Sequence, residues 1–224
     1  MRRPAARTMF ASYAVAWTYL ISFIVAQFSY GLLSPHDQDA LTVWASTSVH
    51  NLHHNPIGTL IVSAFVSGEF PIVWPVLITL AMFGANHALG NWRLAVVCVA
   101  GQVIGTLVSE GIVEYRVSRG VLPPLDRYLI DVGPSYVVVS AVMVALLYGT
   151  WLARAAAAAD LAVLIALGHI FAGLSQLNYT AVGHLTAMLV GIVGGSLLVW
   201  QRRRRRAQTL GGDGPAGTRA GQPG

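Results

Sequence analysis

Long apolar stretches recur through most of this 224-residue chain and decide what it can fold into. Six of them are close to the roughly 17–25 residues that an α-helix needs to cross about 30 Å of hydrocarbon. Only 10% of the residues are charged, whereas soluble domains carry about 25%. The chain is therefore predicted to be an all-α, multi-pass membrane protein with spans at about 11–33, 71–89, 94–113, 132–152, 161–177 and 181–200.

The segments outside the spans have distinct expected roles. Residues 1–10 form an N-terminal arm, and 34–70 form a long external loop. Residues 201–224 form a tail that is first basic and then rich in glycine, alanine and proline, so disorder is expected there. The apolar piece Ile57–Ser67 is too short to cross and is expected to lie at the interface or to re-enter. The first span is too long for a signal peptide and is predicted to remain as an anchor.

The arginines predict how the chain is oriented. The chain has no lysine, and six spans place both termini on the same side, together with eleven of the 14 arginines. The positive-inside rule then puts both termini in the cytoplasm and the protein in the cell membrane. The run Arg202–Arg206 could also bind nucleic acid, but the chain has no folded basic domain to accompany it. Attraction to the anionic lipid of the bilayer accounts for the run, so no nucleic-acid partner is expected.

Small residues in the last span recur every four positions and so lie on one stripe of the helix. Such a stripe lets a second helix approach closely, with van der Waals contact between the two backbones. The predicted packing residues are Gly183, Ala187, Gly191 and Gly195.

Neither a disulfide nor a metal site is predicted. Cys98 is the single cysteine, which excludes an intramolecular disulfide. His50, His53 and His54 have a spacing that a metal could use, but they lie in a loop without a cysteine or an obvious carboxylate set. No cofactor is expected.

Ser135 and His184 are the candidate catalytic pair. Both lie about three residues inside helices that enter from the external side, hence about 5 Å deep, whereas His169 lies deeper. An ionisable side chain within a membrane helix marks a functional site by default, and serine hydrolysis needs a base beside the hydroxyl. The alternative roles are structural: Ser135 would satisfy a helix start, and His184 would bond between helices.

Four short motifs, in order along residues 56–200, resemble those of the rhomboid superfamily, which contains intramembrane serine proteases and inactive relatives. The first two, Asn55–Phe65 and Phe83–Leu94, are similar to the approach to the second helix and to the turn before the third. Gly133-Pro134-Ser135-Tyr136 resembles the family's Gly-x-Ser-Gly at the fourth helix. His184–Gly191 is similar to its sixth-helix pattern of histidine, a small residue and glycine.

This resemblance implies a rhomboid-like bundle of six helices and a serine protease acting within the membrane. Ser135 would be the nucleophile and His184 the general base and then acid. Gly133 and Tyr136 would lie beside the oxyanion or the substrate. The implied partners are membrane-protein substrates or clients within the lipid bilayer, and the oligomeric state stays open.

The chain departs from the family pattern at three positions. Tyr136 replaces the glycine after the nucleophile and would crowd the approach of substrate. Pro71 and Pro75 align with a histidine and an asparagine that donate to the oxyanion, and proline has no N–H to donate. Losing one such donor typically costs about 100- to 1,000-fold in rate. The candidate replacements in the loop are His50, His53, His54 and Asn55.

Three functions therefore stay open at the level of sequence. The first is an intramembrane serine endopeptidase, supported by the serine and histidine at matching depth. The second is an inactive rhomboid-like pseudoprotease that binds or escorts membrane proteins, supported by the three departures. The third is a small transporter, although internal repeats with broken helices, typical of such proteins, are not evident.

Overall fold

The computed structural model describes residues 10–68 and 72–211. Residues 1–9 of the arm, residues 69–71, which include Pro71, and the tail from residue 212 lie outside the described residues. The regular structure of the described part is helical throughout. In chain order the α-helices are α1 (Ala14–Gly31), α2 (Pro35–Ala45), α3 (Val49–His54), α4 (Pro56–Val62), α5 (Val73–Leu89), α6 (Asn91–Ser118), α7 (Ser135–Tyr148), α8 (Trp151–Ala166) and α9 (Tyr179–Gly211).

Three helical segments are long and apolar enough to cross a bilayer: α1, α6 and the part Tyr179–Arg205 of α9. Helices α5 and α7 are apolar but shorter, as is the helical piece Pro56–Phe65 that α4 forms with a 3₁₀ turn. The all-α class and the membrane character agree with the sequence prediction. The number of crossing helices and the orientation of the termini stay predictions.

The fifth helix lies about ten residues earlier than the span predicted at 161–177. Helix α8 covers Trp151–Ala166, and the Thr150 hydroxyl caps its start by accepting from the Ala153 N–H at 3.3 Å. Hydropathy placed a turn over residues 154–160, because an arginine and an aspartate interrupt the apolar run there. The alanines between these charges are strong helix formers and continue the helix instead. His169, expected midway along this helix, follows its end with a φ of 47°.

The predicted external loop 34–70 contains three short helices, α2 to α4. Each begins at a polar residue whose side chain accepts a backbone N–H in the first turn, namely Ser34, Ser48 and Asn55. Such caps satisfy donors that a helix start leaves without partners. The end of this segment is attached to α1, because the Tyr19 hydroxyl donates to the Ala64 carbonyl at 2.9 Å.

Helix α7 occupies the centre of the bundle. Its residues from Tyr136 to Ala145 are all buried, and α5, α6, α8 and α9 pack around it. A helix that is apolar on every side is stable only when neighbours cover all of its faces. The position of α7 fixes Ser135, its first residue, at one end of the bundle.

Small residues bring two neighbouring helices against α7. A Cβ added at Gly101 of α6 would lie 2.7 Å from the Ser140 Cβ, and one at Gly191 of α9 would overlap the Ser140 backbone. Further along α9, a Cβ at Gly195 would lie 2.9 Å from the Val144 Cγ2. The close approach of α9 to α7 sets His184 near the start of α7.

One end of the bundle carries the arginine run of α9. At one end Asn86 and Asn91 donate to backbone carbonyls just before α1, at 2.8 and 2.7 Å. Arg202 of α9 donates to the Ala88 carbonyl at the same end. Helix α9 runs through the arginine run to Gly211, so the basic part of the tail predicted at 201–224 is helical. Ser135 lies at the opposite end of its helix.

Candidate active site around Ser135 and His184

Ser135 is placed by a sharp entry into α7. Gly133 has a φ of 138°, which favours glycine, and its N–H donates to the Ser63 carbonyl at 2.9 Å. Pro134 follows as the residue before the helix. Ser135 is partly exposed, and its hydroxyl makes no hydrogen bond within the described residues. The Ser135 hydroxyl therefore lies at the start of α7 and is available to react.

His184 is buried on α9, with 4% of its surface exposed. Its Nδ1 lies 3.2 Å from the Ile170 carbonyl oxygen, which can only accept, so Nδ1 carries the hydrogen. Nε2 then keeps its lone pair, and it has no hydrogen-bond partner in the described part of the chain. This tautomer is the one that a general base requires.

Tyr136 lies against both groups. Its ring meets the His184 ring edge to face, with centroids 5.1 Å apart, and its hydroxyl donates to Asp131 Oδ2 at 2.9 Å. Gly183 is required by this contact, because a Cβ there would collide with the Tyr136 ring. Gly105 of α6 faces the same ring, with an added Cβ at 3.3 Å. Tyr136 therefore fills the space beside His184, where the family pattern has a glycine.

Ser135 and His184 lie at the same end of the contact between α7 and α9, but they are not hydrogen-bonded to each other within the described residues. Three of the four predicted packing residues, Gly183, Gly191 and Gly195, face α7, and Ala187 is fully buried beside Gly105 of α6.

Donors for an oxyanion differ from those of the family pattern. Pro71 is outside the described residues, and Pro75 lies within α5, where its carbonyl accepts from Thr79 Oγ1 at 2.7 Å. The start of α7 has no side-chain cap, and the first turn of a helix leaves its N–H groups without intrahelical partners. The N–H groups of Ser135 and the next two residues are therefore candidate donors, favoured by the helix dipole.

The loop histidines are engaged locally. His53 and His54 of α3 contact the carbonyls four residues earlier through Nδ1, each at 2.8 Å. The His50 ring packs against the rings of His54 and Tyr128. Asn55 accepts from the Gly58 N–H and caps α4. Their described hydrogen bonds connect none of them to Ser135 or His184.

A buried polar group that the sequence reading missed lies beside Tyr136. The position of Glu110 near the outer end of the third predicted span predicts a side chain that is solvated or paired with Arg116 or Arg119. In the structure it is 3% exposed, and neither carboxylate oxygen has a hydrogen-bond partner among the described residues. Arg116 donates to the carbonyls of Gln176 and Leu177, and Arg119 lies over the Tyr115 ring. The signal that could have found Glu110 is its position within the predicted span 94–113, because an ionisable residue in a membrane helix usually faces the interior of the bundle.

Asp131 holds the segment before α7 to the loop. Its N–H donates to Ser46 Oγ and its carbonyl accepts from the Thr47 N–H, both at 2.9 Å. Burial raises the pKa of the Asp131 carboxyl from 3.8 to about 6, although hydrogen bonds from Tyr136 and Thr47 act in the opposite direction. The carboxyl therefore takes up a proton in the folded protein at a higher pH than in the unfolded chain.

This raised pKa predicts how stability changes with pH. Because the folded protein holds the proton more tightly, Asp131 stabilises the fold most below about pH 4, and this contribution is lost as the pH rises to about 6. We expect the melting temperature in detergent to fall over this range more steeply for the wild type than for Asp131→Asn. Asp126→Asn, on the same loop, should keep the wild-type profile. Coincident profiles for the wild type and Asp131→Asn would contradict the prediction.

The fold and this site together define an all-α integral membrane protein with a serine and a histidine on packed neighbouring helices. A family model described as "Rhomboid-like protein" matches residues 10–204, which is most of the chain. The chain therefore belongs to the rhomboid-like family and to the rhomboid superfamily. No curated protein and no solved structure matches it.

Proposed function

We propose that this protein is an intramembrane serine endopeptidase of the rhomboid type, in which Ser135 is the nucleophile and His184 the base. The observation that carries the proposal is the state of His184. Its Nδ1 is fixed on the Ile170 carbonyl, and Nε2 is left without a partner at the same end of the bundle as Ser135. A buried nitrogen without a hydrogen-bond partner destabilises the fold. A role of His184 Nε2 as general base explains why the protein keeps it without a partner.

The reaction would follow from these positions. His184 Nε2 takes the proton of the Ser135 hydroxyl as its oxygen attacks a substrate carbonyl, and returns that proton to the leaving amine as the peptide C–N bond breaks. Water then attacks the resulting ester of Ser135, with His184 again as the base, which releases the acid product and restores the serine. The N–H groups in the first turn of α7 stabilise the oxyanion. The distance that separates Ser135 from His184 must close when substrate binds, and hydrogen bonds between catalytic groups are often long in the empty enzyme. The reaction needs no cofactor.

The substrates would be transmembrane segments that unwind locally, because a fully hydrogen-bonded helix hides its carbonyls. The arginine-rich end of the bundle would face the cytoplasm, following the positive-inside rule. Ser135 would then lie near the external surface of the cell membrane. Both chain termini would be cytoplasmic.

Labelling by a fluorophosphonate tests the nucleophile. We expect the purified wild type to be labelled and Ser135→Ala to lose the label, because only an activated serine attacks the probe. Ser118→Ala, at an exposed serine of the same end, should be labelled like the wild type. Labelling of Ser135→Ala at the wild-type level would place the reactive serine elsewhere and refute the assignment.

A second function, that of a pseudoprotease which binds or escorts membrane proteins, is favoured by Tyr136. Its ring packs on His184 and its hydroxyl is held by Asp131. If this arrangement persists with a client bound, Tyr136 crowds the space beside His184 that a peptide substrate would need. A folded wild type that resists the probe, together with equal partner capture by the wild type and Ser135→Ala, would select this function.

A further inference from the structure

Two adjoining cavities lie at the arginine-rich end of the bundle, where α9 passes the ends of α5 and α7. One, of about 340 Å³, is lined by His87, Ala88, Tyr148, Val199, Arg202 and Arg203. The other, of about 470 Å³, is lined by Tyr148, Ser196, Leu197, Val199, Trp200 and Arg203. They share three of these residues and form one composite cavity, far from Ser135.

The first cavity is basic. Arg203 is exposed and makes no hydrogen bond within the described residues, so its guanidinium is available to a ligand. The Arg202 side chain is fixed against the cavity wall because it donates to the Ala88 carbonyl. No acidic residue is among those lining either cavity. This part of the composite cavity therefore favours an anion.

The second cavity is largely apolar. Leu197 and Trp200 are about half exposed on α9, and the hydroxyls of Tyr148 and Ser196 satisfy each other at 2.6 Å. Tryptophan is enriched at the level of the lipid headgroups, where its ring meets both hydrocarbon and water. An apolar groove that opens beside two arginines is complementary to an amphiphile with an anionic head.

We propose that the composite cavity binds one anionic phospholipid, with its phosphate at Arg202 and Arg203 and an acyl chain along Leu197 and Trp200. Guanidinium groups match phosphate oxygens in geometry and in charge. The bound lipid would lie in the leaflet at the arginine-rich end. The site is independent of the chemistry proposed for Ser135.

Native mass spectrometry of the purified protein tests the site, with phosphatidylglycerol and phosphatidylcholine as probes. We expect the wild type to retain phosphatidylglycerol in preference, and Arg203→Gln to weaken that retention by about tenfold, as loss of a charge-assisted hydrogen bond would. Arg205→Gln is the matched control, because it removes the same charge two positions beyond Arg203, outside the cavity lining. Equal losses in the two variants would show a diffuse basic surface and overturn the proposal.

Quenching of tryptophan fluorescence gives a second readout that needs no arginine variant. Brominated phosphatidylglycerol should quench the wild type more than brominated phosphatidylcholine does, and Trp200→Phe should abolish that difference. Excess inorganic phosphate should not reverse the quenching, because the acyl chain contributes to binding. Equal quenching by the two lipids, or reversal by phosphate alone, would refute a phospholipid site.

Discussion

Replacing His184 with glutamine is expected to slow the acylation of Ser135 by about 100- to 10,000-fold, the usual contribution of a general base. Glutamine can still donate an N–H to the Ile170 carbonyl, as Nδ1 does at 3.2 Å in the wild type. It has no nitrogen lone pair that can accept the serine proton. The substitution therefore keeps the packing contact and removes the base.

The measurement is the rate of fluorophosphonate labelling, alongside cleavage of a membrane-anchored reporter in liposomes. His87→Gln is the matched control, since His87 lies at the arginine-rich end and bonds the Tyr13 hydroxyl at 3.2 Å. It should label at the wild-type rate. A His184→Gln variant that labels as fast as the wild type would leave His184 a purely structural residue.

Gly191→Ala is expected to destabilise the protein by about 1–3 kcal/mol, the usual cost of forcing extra volume into a packed core. An added Cβ would overlap the Ser140 backbone on α7, and a backbone cannot rotate away as a side chain can. Helix α9 would have to move from α7, which would also displace His184.

Gly194→Ala is the control for this experiment. Gly194 is on the same helix, but a Cβ there would meet only Val97 Cγ2 at 3.8 Å, an ordinary contact. Alanine favours a helix over glycine by up to about 1 kcal/mol, so this variant should be as stable as the wild type or more stable. Thermal unfolding in detergent compares the two. Equal melting temperatures for Gly191→Ala and Gly194→Ala would contradict the close α7–α9 packing.

Helix α8 lies about ten residues earlier than the span predicted from hydropathy. Hydropathy follows the average affinity of a segment for lipid, so the charges of Arg154 and Asp160 excluded residues 151–160 from the predicted span. In the structure Arg154 donates to the Leu147 carbonyl at 2.5 Å, and Asp160 is 1% exposed. Arg154 therefore has a hydrogen-bond partner on α7, whereas Asp160 is enclosed by the bundle and its Oδ2 has no hydrogen-bond partner among the described residues. Which helices enclose a charged side chain cannot be seen from one segment of the sequence.

The site was predictable in part. Depth along two helices and the short motifs around them selected Ser135 and His184, and the spacing of small residues indicated a tightly packed face on α9. The sequence shows that Tyr136 departs from the glycine of the family pattern, but it does not predict the contact of Tyr136 with His184. Asp131 had no predicted role in the site, because its backbone partners Ser46 and Thr47 come from a segment distant in the chain.

The sequence by itself determined the helical membrane class, the family and the candidate pair, because these depend on composition, period and local motifs. Tertiary structure decided that Tyr136 packs on His184, that α7 is enclosed, and that Arg203 lines both a basic and an apolar cavity. Each of these depends on which helices become neighbours. That choice rests on the packing of small residues and on buried polar partners, which act between segments rather than within them.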